Sequence, residues 1–166
     1  MLRTIEDFQK DWVYEAEATT KILKALTDES LGQKVTPTGR SLGILAWHLA
    51  TTLGEMLGQV GLKIDGPGQT EECPRSASAI AAAYEKAAKS VGEEVGKHWN
   101  DETLLQEDNM YGDTWKRGVT LFALIAHQAH HRGQMTVLMR QAGLPVPGVY
   151  GPSKEEWEAH GMPAMA

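Results

Sequence analysis

Only one cysteine, Cys73, is present among the 166 residues. One thiol can form neither an internal disulfide nor a cysteine-based zinc site, which excludes a disulfide scaffold and a zinc finger. Long apolar runs are also missing, since those around residues 42–50 and 118–126 fall far short of the ~20 residues that span a bilayer. The charged N-terminal stretch MLRTIEDFQKDW is unlike a secretory signal, so we expect a cytoplasmic protein.

Positive charge is scarce. Sixteen Lys and Arg stand against 22 Asp and Glu, and the formal net charge is −6. Nonspecific binding to nucleic acid depends on clustered cations that neutralise phosphates. We therefore expect neither nucleic acid nor a membrane among the partners of this chain.

Apolar residues recur at spacings of three and four in four long segments, a pattern typical of helices that bury one face. Helices are predicted over residues 4–27, 41–61, 76–99 and from 114 or 116 to 142. Nothing alternates with period two, so no sheet is expected, and residues 100–113 are predicted to be a polar crossover. The sequence thus predicts an all-α protein, a four-helix bundle in a single domain of residues 1–166.

The last part of the chain is predicted to differ from the bundle. Gly143 is placed to end the fourth helix, and Pro145 and Pro147 prevent its continuation. We expect residues 143–166 to form an irregular tail that packs on the bundle. Ser153-Lys-Glu-Glu matches a capping box, which predicts a short extra C-terminal helix over residues 154–160.

Histidine is the unusual component, with six residues, three of them within residues 127–131. His127 and His131 lie about 40° apart on the helix surface and one turn along the axis, so both rings can reach one ion. They share the core-facing side with Leu124 and Leu138. His48 faces the core from the second helix, and three neutral imidazoles suit Zn²⁺, Ni²⁺ or Fe²⁺ with coordination positions left open.

Other interpretations of these histidines remain open. A buried histidine on an apolar face is commonly a hydrogen-bonded core residue rather than a ligand. His130 points about 60° to the other side of His127, where it can support the pair without binding the ion. His98 and His160 lie near predicted helix ends and are interpreted as solvated or capping residues.

Two further polar residues are weaker candidates for catalytic contacts in a cavity. Gln134 lies one turn beyond His131 on the same face and can hydrogen-bond a water, a substrate or a neighbouring helix. Glu55 falls on the face of His48 but about 10 Å along the axis, so it is expected to line the cavity or face solvent. Cys73 has only Arg75 as a nearby cation and is expected to be unreactive.

The first half of the fourth helix is apolar nearly all round, because Leu121, Phe122 and Ile125 lie on the side away from His127. A helix of this kind is covered on both sides, by other helices or by a second subunit. We therefore predict a homodimer.

Three sequence pieces resemble the DinB family, also called the DinB/YfiT-like putative metalloenzymes. They are Ala46-Trp-His-Leu-Ala50, His127-Gln-Ala-His-His-Arg-Gly-Gln134 and Pro147-Gly-Val-Tyr-Gly-Pro-Ser153 with Glu156-Trp157. The resemblance covers almost the whole chain in order. It implies a four-helix bundle, usually homodimeric, with a divalent metal held by three histidines, which here are His48, His127 and His131. His130 and Arg132 match the motif but not its usual ligand positions.

The resemblance also bears on function. Characterised relatives in the wider superfamily include bacillithiol-dependent S-transferases and a mycothiol-dependent maleylpyruvate isomerase, in which the metal activates a thiolate. We therefore expect a metal-dependent enzyme, resembling a thiol S-transferase or a hydrolase, that acts on a small electrophilic or hydrolysable substrate. Since Cys73 is alone, sulfur at the metal is expected to come from a substrate or a small-molecule thiol. The alternatives are a noncatalytic metal-stabilised stress-response or binding protein, and a metal-free helical dimer with hydrogen-bonded core histidines.

Overall fold

A computed structural model describes residues 3–157, 161 and 163 of the chain. It contains four long helices, α1 (Ile5–Lys24), α2 (Leu42–Gln59), α3 (Ala77–His98) and α4 (Arg117–Gln141). The predicted all-α four-helix bundle is confirmed, and the helix boundaries agree with the prediction to within three residues, as at the end of α1, which is Lys24 instead of residue 27. None of the described helices combines the length and the apolar character needed to cross a membrane.

The helix boundaries follow from local capping. Thr4 and Asp7 form a capping box at the start of α1, and Ser41 and Ser76 accept backbone hydrogen bonds at the starts of α2 and α3. Gly143 follows α4 with φ of 73°, a left-handed conformation that costs glycine little. These caps fix where α1, α2 and α3 begin and where α4 ends.

Helix α1 packs on α3 and α4, and α2 packs on the same two helices. Apolar side chains from all four helices fill one continuous core, including Phe8, Leu49, Tyr84 and Leu124, each fully buried. Burial of such residues supplies the main favourable free energy of folding.

The crossover before α4 contains structure that the sequence analysis did not predict. A short 3₁₀ helix (Asp101–Leu105) leads into an antiparallel hairpin of β1 (Glu107–Met110) and β2 (Asp113–Lys116). The expectation of no sheet was wrong for this segment. The hairpin depends on a two-residue turn, in which Tyr111 and Gly112 both have positive φ, and not on apolar alternation. Asp108 of β1 pairs with Arg117, the first residue of α4.

The tail packs against α1 and α4. Val146 is buried, the Tyr14 hydroxyl donates to the carbonyl of Val149, and Arg140 pairs with Glu155. Of the predicted extra helix, residues 154–157 form a turn instead. Residues 158–160, and with them His160, lie outside the described residues.

The apolar face predicted to support a homodimer is narrower than expected. Leu121 is fully buried in the bundle core, and Ile125 is partly buried. Phe122 is 63% exposed, and Val119, three residues earlier on α4, is 48% exposed. The homodimer stays a prediction, and the apolar surface available for it on this helix centres on Val119 and Phe122.

Candidate metal centre

Helices α2 and α4 bring His48, His127 and His131 together. Nε2 of His127 lies 3.2 Å from Nε2 of His48 and 3.1 Å from Nε2 of His131. The rings are steeply inclined to one another, at 66° for His48 and His127 and 79° for His127 and His131. Three ring nitrogens therefore converge on one point, as the helical spacing of the sequence predicts.

Local packing explains why the rings point inward. His127 and His131 are one turn apart on α4, on the face that buries Leu124 and Leu138. His48 lies between the buried residues Trp47 and Leu49 on α2. His131 is buried and the other two rings are half-buried, so the cluster lies at the edge of the core with limited access to solvent.

Gln134 determines which nitrogen of His131 carries the proton. Its amide Oε1 accepts a hydrogen bond of 2.7 Å from Nδ1 of His131, while its Nε2 donates to Nε2 of His130 at 3.0 Å. Because an amide oxygen cannot donate, Nδ1 of His131 is the donor. In neutral His131 the lone pair is then on Nε2, which faces the other two histidines.

Burial lowers the pKa of all three imidazoles, which favours their neutral form. Desolvation, with the positive charges of neighbouring histidines and Arg40, lowers the pKa of His48 and of His127 to about 4. Desolvation also lowers the pKa of His131, although its hydrogen bond to Gln134 opposes the shift. Nδ1 of His127 is buried and has no hydrogen-bond partner among the described residues, so an imidazolium there would bury an unpaired N–H.

A cavity of about 570 Å³ opens beside the cluster. Its polar lining includes His130, His131 and Gln134 from α4, together with Arg40 from the connector that precedes α2. Val35, Leu45, Val137 and Leu138 make much of the remaining wall apolar. Of the three clustered histidines, His131 lines this space, which is large enough for a small organic molecule.

The structure separates the other sequence candidates from this cluster. Glu55 does not reach the histidines and instead accepts hydrogen bonds from the Tyr111 hydroxyl and from Gln59. His98 is exposed at the end of α3, 3.2 Å from Glu94. Burial raises the pKa of the Cys73 thiol, which lies 3.5 Å from the carbonyl of Gly43. Of the two weaker catalytic candidates, only Gln134 lies at the site.

One polar network next to the site was missed by the sequence analysis. The buried guanidinium of Arg132 pairs with Glu15 on α1 and also donates to Thr19 at 2.9 Å and to the Tyr150 hydroxyl at 2.6 Å. The spacing of Glu15 from Trp12 and Thr19, three and four residues, places it on the buried face of α1 and is the signal that could have revealed it. The network fastens α1 and the tail to α4 on the turn that carries His131.

The comparisons with known proteins agree with this architecture. The DinB family model matches residues 1–164. "Uncharacterized protein YrdA" of Bacillus subtilis (strain 168) is 44% identical over 164 residues, which cover 99% of this chain and 98% of that protein.

Two solved structures are also similar. The crystal structure of a DinB-like protein from Bacillus cereus ATCC 10987 has a TM-score of 0.86 and 45% identity, covering 90% of this chain and 100% of that chain. A DinB-like protein from Bacillus subtilis, YjoA, has a TM-score of 0.65 at 16% identity, covering 84% and 96% of the two chains, and is similar in fold alone. On its sequence and its helical architecture together, the chain belongs to the DinB family.

Proposed function

We propose that this protein binds one divalent metal ion through His48, His127 and His131 and uses it in an enzymatic reaction on a small molecule. The observation that carries the proposal is the convergence of three Nε2 atoms beside a cavity. Structural zinc sites usually have four protein ligands, whereas three leave a position for water or substrate. Zn²⁺, Ni²⁺ and Fe²⁺ all suit an imidazole donor set, and their availability in the cell selects among them.

Two of the three nitrogen–nitrogen separations fit such an ion, and all three ligand atoms lie within 4.8 Å of one another. Tetrahedral coordination with Zn–N bonds of about 2.0–2.1 Å places two ligand nitrogens about 3.3 Å apart. The separations from His127 to His48 and to His131 are 3.2 and 3.1 Å. Hydrogen bonds between the rings alone explain this arrangement less well. Nε2 of His127 lies next to the Nε2 atoms of both other histidines, and its single N–H would have to donate to both of them.

The environment of the donor set also favours the required protonation state. Only the neutral imidazole coordinates a metal, and burial lowers the pKa of all three histidines below the usual range. Gln134 fixes the Nδ1–H tautomer of His131, which leaves Nε2 free to coordinate. Such an outer hydrogen bond is a common feature of histidines that bind metals.

Thiol S-transfer is the reaction class that we propose for the site, on the basis of the family resemblance. A bound divalent ion supplies Lewis acidity that lowers the pKa of a thiol or a water at an open position. Cys73 lies near Gly43 and Pro74, away from the histidines, so the reacting sulfur would come from a small-molecule thiol. The cavity would hold a small electrophilic partner, and Gln134 would keep His131 oriented.

A noncatalytic role is the second candidate, and one observation favours it. No carboxylate is found among the described residues that line the cavity, so a hydrolase would have no acidic general base there. In this case the ion would only stabilise the bundle by cross-linking α2 and α4.

Elemental analysis of protein purified without a histidine tag tests the metal assignment. We expect close to one divalent ion per chain in the wild type and in His98→Ala, which removes an exposed histidine of α3, and less than a tenth of that in His127→Ala. Equal metal content in His127→Ala and the wild type would exclude the assignment. Turnover with a low-molecular-weight thiol and an electrophile such as monochlorobimane, lost on chelation and restored by metal, distinguishes the enzyme from the noncatalytic protein.

A further inference from the structure

The connector before α2 lies against α4 at the mouth of the histidine cavity. It runs from residue 33 to residue 41 and contributes Val35, Gly39 and Arg40 to the lining. Its base is tied down by the backbone hydrogen bond from Leu42 to the carbonyl of Gln33, at 2.9 Å. The position of Arg40 is therefore set by a short, anchored segment.

Arg40 is exposed to solvent, and its positive charge has no ion-pair partner in the described part of the chain. Its guanidinium makes no hydrogen bond and no ion pair with any residue in the described ranges 3–157, 161 and 163. Arg40 lines the same cavity as His131, the clustered histidine that reaches it, so a molecule bound there can meet both.

The surroundings of Arg40 suit an anion with an apolar body. The described lining carries no acidic side chain, although the chain as a whole has a net charge of −6. The lining also contains the apolar side chains of Val35, Leu45, Val137 and Leu138, which form its apolar wall. A guanidinium presents two parallel N–H groups that match the two oxygens of a carboxylate.

We propose that the cavity selects a small carboxylate with an aliphatic or aromatic body, whose carboxylate pairs with Arg40 and whose body lies along the apolar wall. Resting on the proposed function, this inference names the substrate class of the same site. The carboxylate end would be held at the connector, and the rest of the molecule would extend towards the three histidines. Arg40 is then a specificity-determining residue.

Hexanoate and its uncharged analogue hexanamide are suitable probes, because they share the apolar body and differ in the group that meets Arg40. We expect isothermal titration calorimetry on the zinc-loaded protein to show hexanoate binding at least tenfold tighter than hexanamide. Arg40→Gln should weaken hexanoate binding about tenfold and leave hexanamide binding unchanged. Arg40→Lys, which keeps the positive charge, should lose less of its affinity for hexanoate. Arg75→Gln, which removes an exposed arginine outside this cavity, should leave both unchanged.

The outcomes separate this inference from the metal proposal. Unchanged hexanoate affinity in Arg40→Gln with full zinc content would overturn the inference and leave the metal proposal standing. Loss of hexanoate binding in His48→Gln/His127→Gln but not in Arg40→Gln would mean that the carboxylate sits on the metal, which also overturns it. A wild-type protein that holds no zinc but binds hexanoate in an Arg40-dependent way would refute the metal proposal and support the carboxylate site.

Discussion

Gln134 and His131 are joined by a hydrogen bond of 2.7 Å from the imidazole Nδ1 to the amide oxygen. The same amide donates to His130, which fixes its orientation. Since both residues lie on α4, three positions apart, helix geometry alone brings them together. Gln134 thus prepares His131 for coordination through Nε2 without itself facing the cluster.

Gln134→Leu should weaken zinc binding about 10- to 100-fold, the usual effect of removing a hydrogen bond behind a metal-binding histidine. The leucine keeps the volume and the helix propensity but cannot accept the proton of His131. Competition with a chromophoric zinc chelator measures the change. Gln141→Leu, a matched substitution at the end of α4, should bind zinc as the wild type does, and equal affinities in Gln134→Leu and Gln141→Leu would contradict the role of Gln134.

Zinc should stabilise the folded protein, because a ligand that binds the native state shifts the unfolding equilibrium. A free concentration 100-fold above Kd adds about 2.7 kcal/mol, which for a chain of this size raises Tm by roughly 5–10 °C. Differential scanning fluorimetry of chelator-treated protein, with and without zinc, measures the shift. His48→Gln/His127→Gln should show a shift below about 2 °C, and an equal shift in that variant would place the bound zinc elsewhere.

The histidine site was predictable from sequence because its main element is local. Two histidines at i and i+4 lie on the same side of any α-helix, so His127 and His131 needed no tertiary information. His48 could be placed on a buried face by the apolar residues around it. The packing of α2 on α4 then decides which residue of α2 meets the pair, and both the helical spacing and the resemblance pointed to His48.

The hairpin and the buried ion pair were not predictable in the same way. β1 and β2 have four residues each and show no apolar alternation, and Tyr-Gly is not among the common dipeptides of such turns. Arg132 and Glu15 are 117 positions apart and meet only because α1 packs on α4. The position of Arg40 in the cavity lining likewise depends on the path of the connector, residues 33–41, which carries no periodic pattern.

Gly112→Ala should lower the free energy of unfolding by about 1–2 kcal/mol, the cost of a left-handed conformation for a residue with a Cβ. Gly112 has φ of 93°, and the added carbon would meet no other atom within 4 Å, so the effect is one of backbone conformation. Gly58→Ala is the control, since Gly58 lies inside α2 with open space around it and should become neutral or slightly more stable. Urea unfolding measures both, and equal effects would contradict the strained turn.

Acid should destabilise the metal-free protein through the histidine cluster. His48 and His127 have a pKa of about 4 in the folded protein and 6.5 without burial, so unfolding takes up protons between these values. The contribution of these two histidines to the free energy of unfolding is therefore constant above pH 6.5 and is lost as the pH falls from 6.5 towards 4. Arg40 and His130, the charged and titratable neighbours from the connector and α4, reinforce the shift in His127.

Thermal melting of chelator-treated protein at pH 7.5, 6.5, 5.5 and 4.5 tests this dependence. His48→Gln/His127→Gln should lose less stability than the wild type over the same range. Asp7 and Glu155 also have a lowered pKa in the folded protein and contribute equally to both proteins below about pH 5, so the difference between them isolates the histidines. Parallel curves would contradict the assignment of the acid effect to the cluster.

Arg132→Met should destabilise the protein by about 3–5 kcal/mol, because it leaves the carboxylate of Glu15 buried without its partner. The side chains of Arg132 and Glu15 are 3% and 9% exposed, so water cannot replace the lost ion pair. Glu15→Leu/Arg132→Met removes both charges and should recover most of the loss, since an apolar pair of similar volume avoids the cost of burying ions. Guanidinium unfolding measures the stability of both variants. If the double variant is no more stable than Arg132→Met, the ion pair is not what holds α1 and the tail in place. The hydrogen bonds of Arg132 to Thr19 and Tyr150 then have that role.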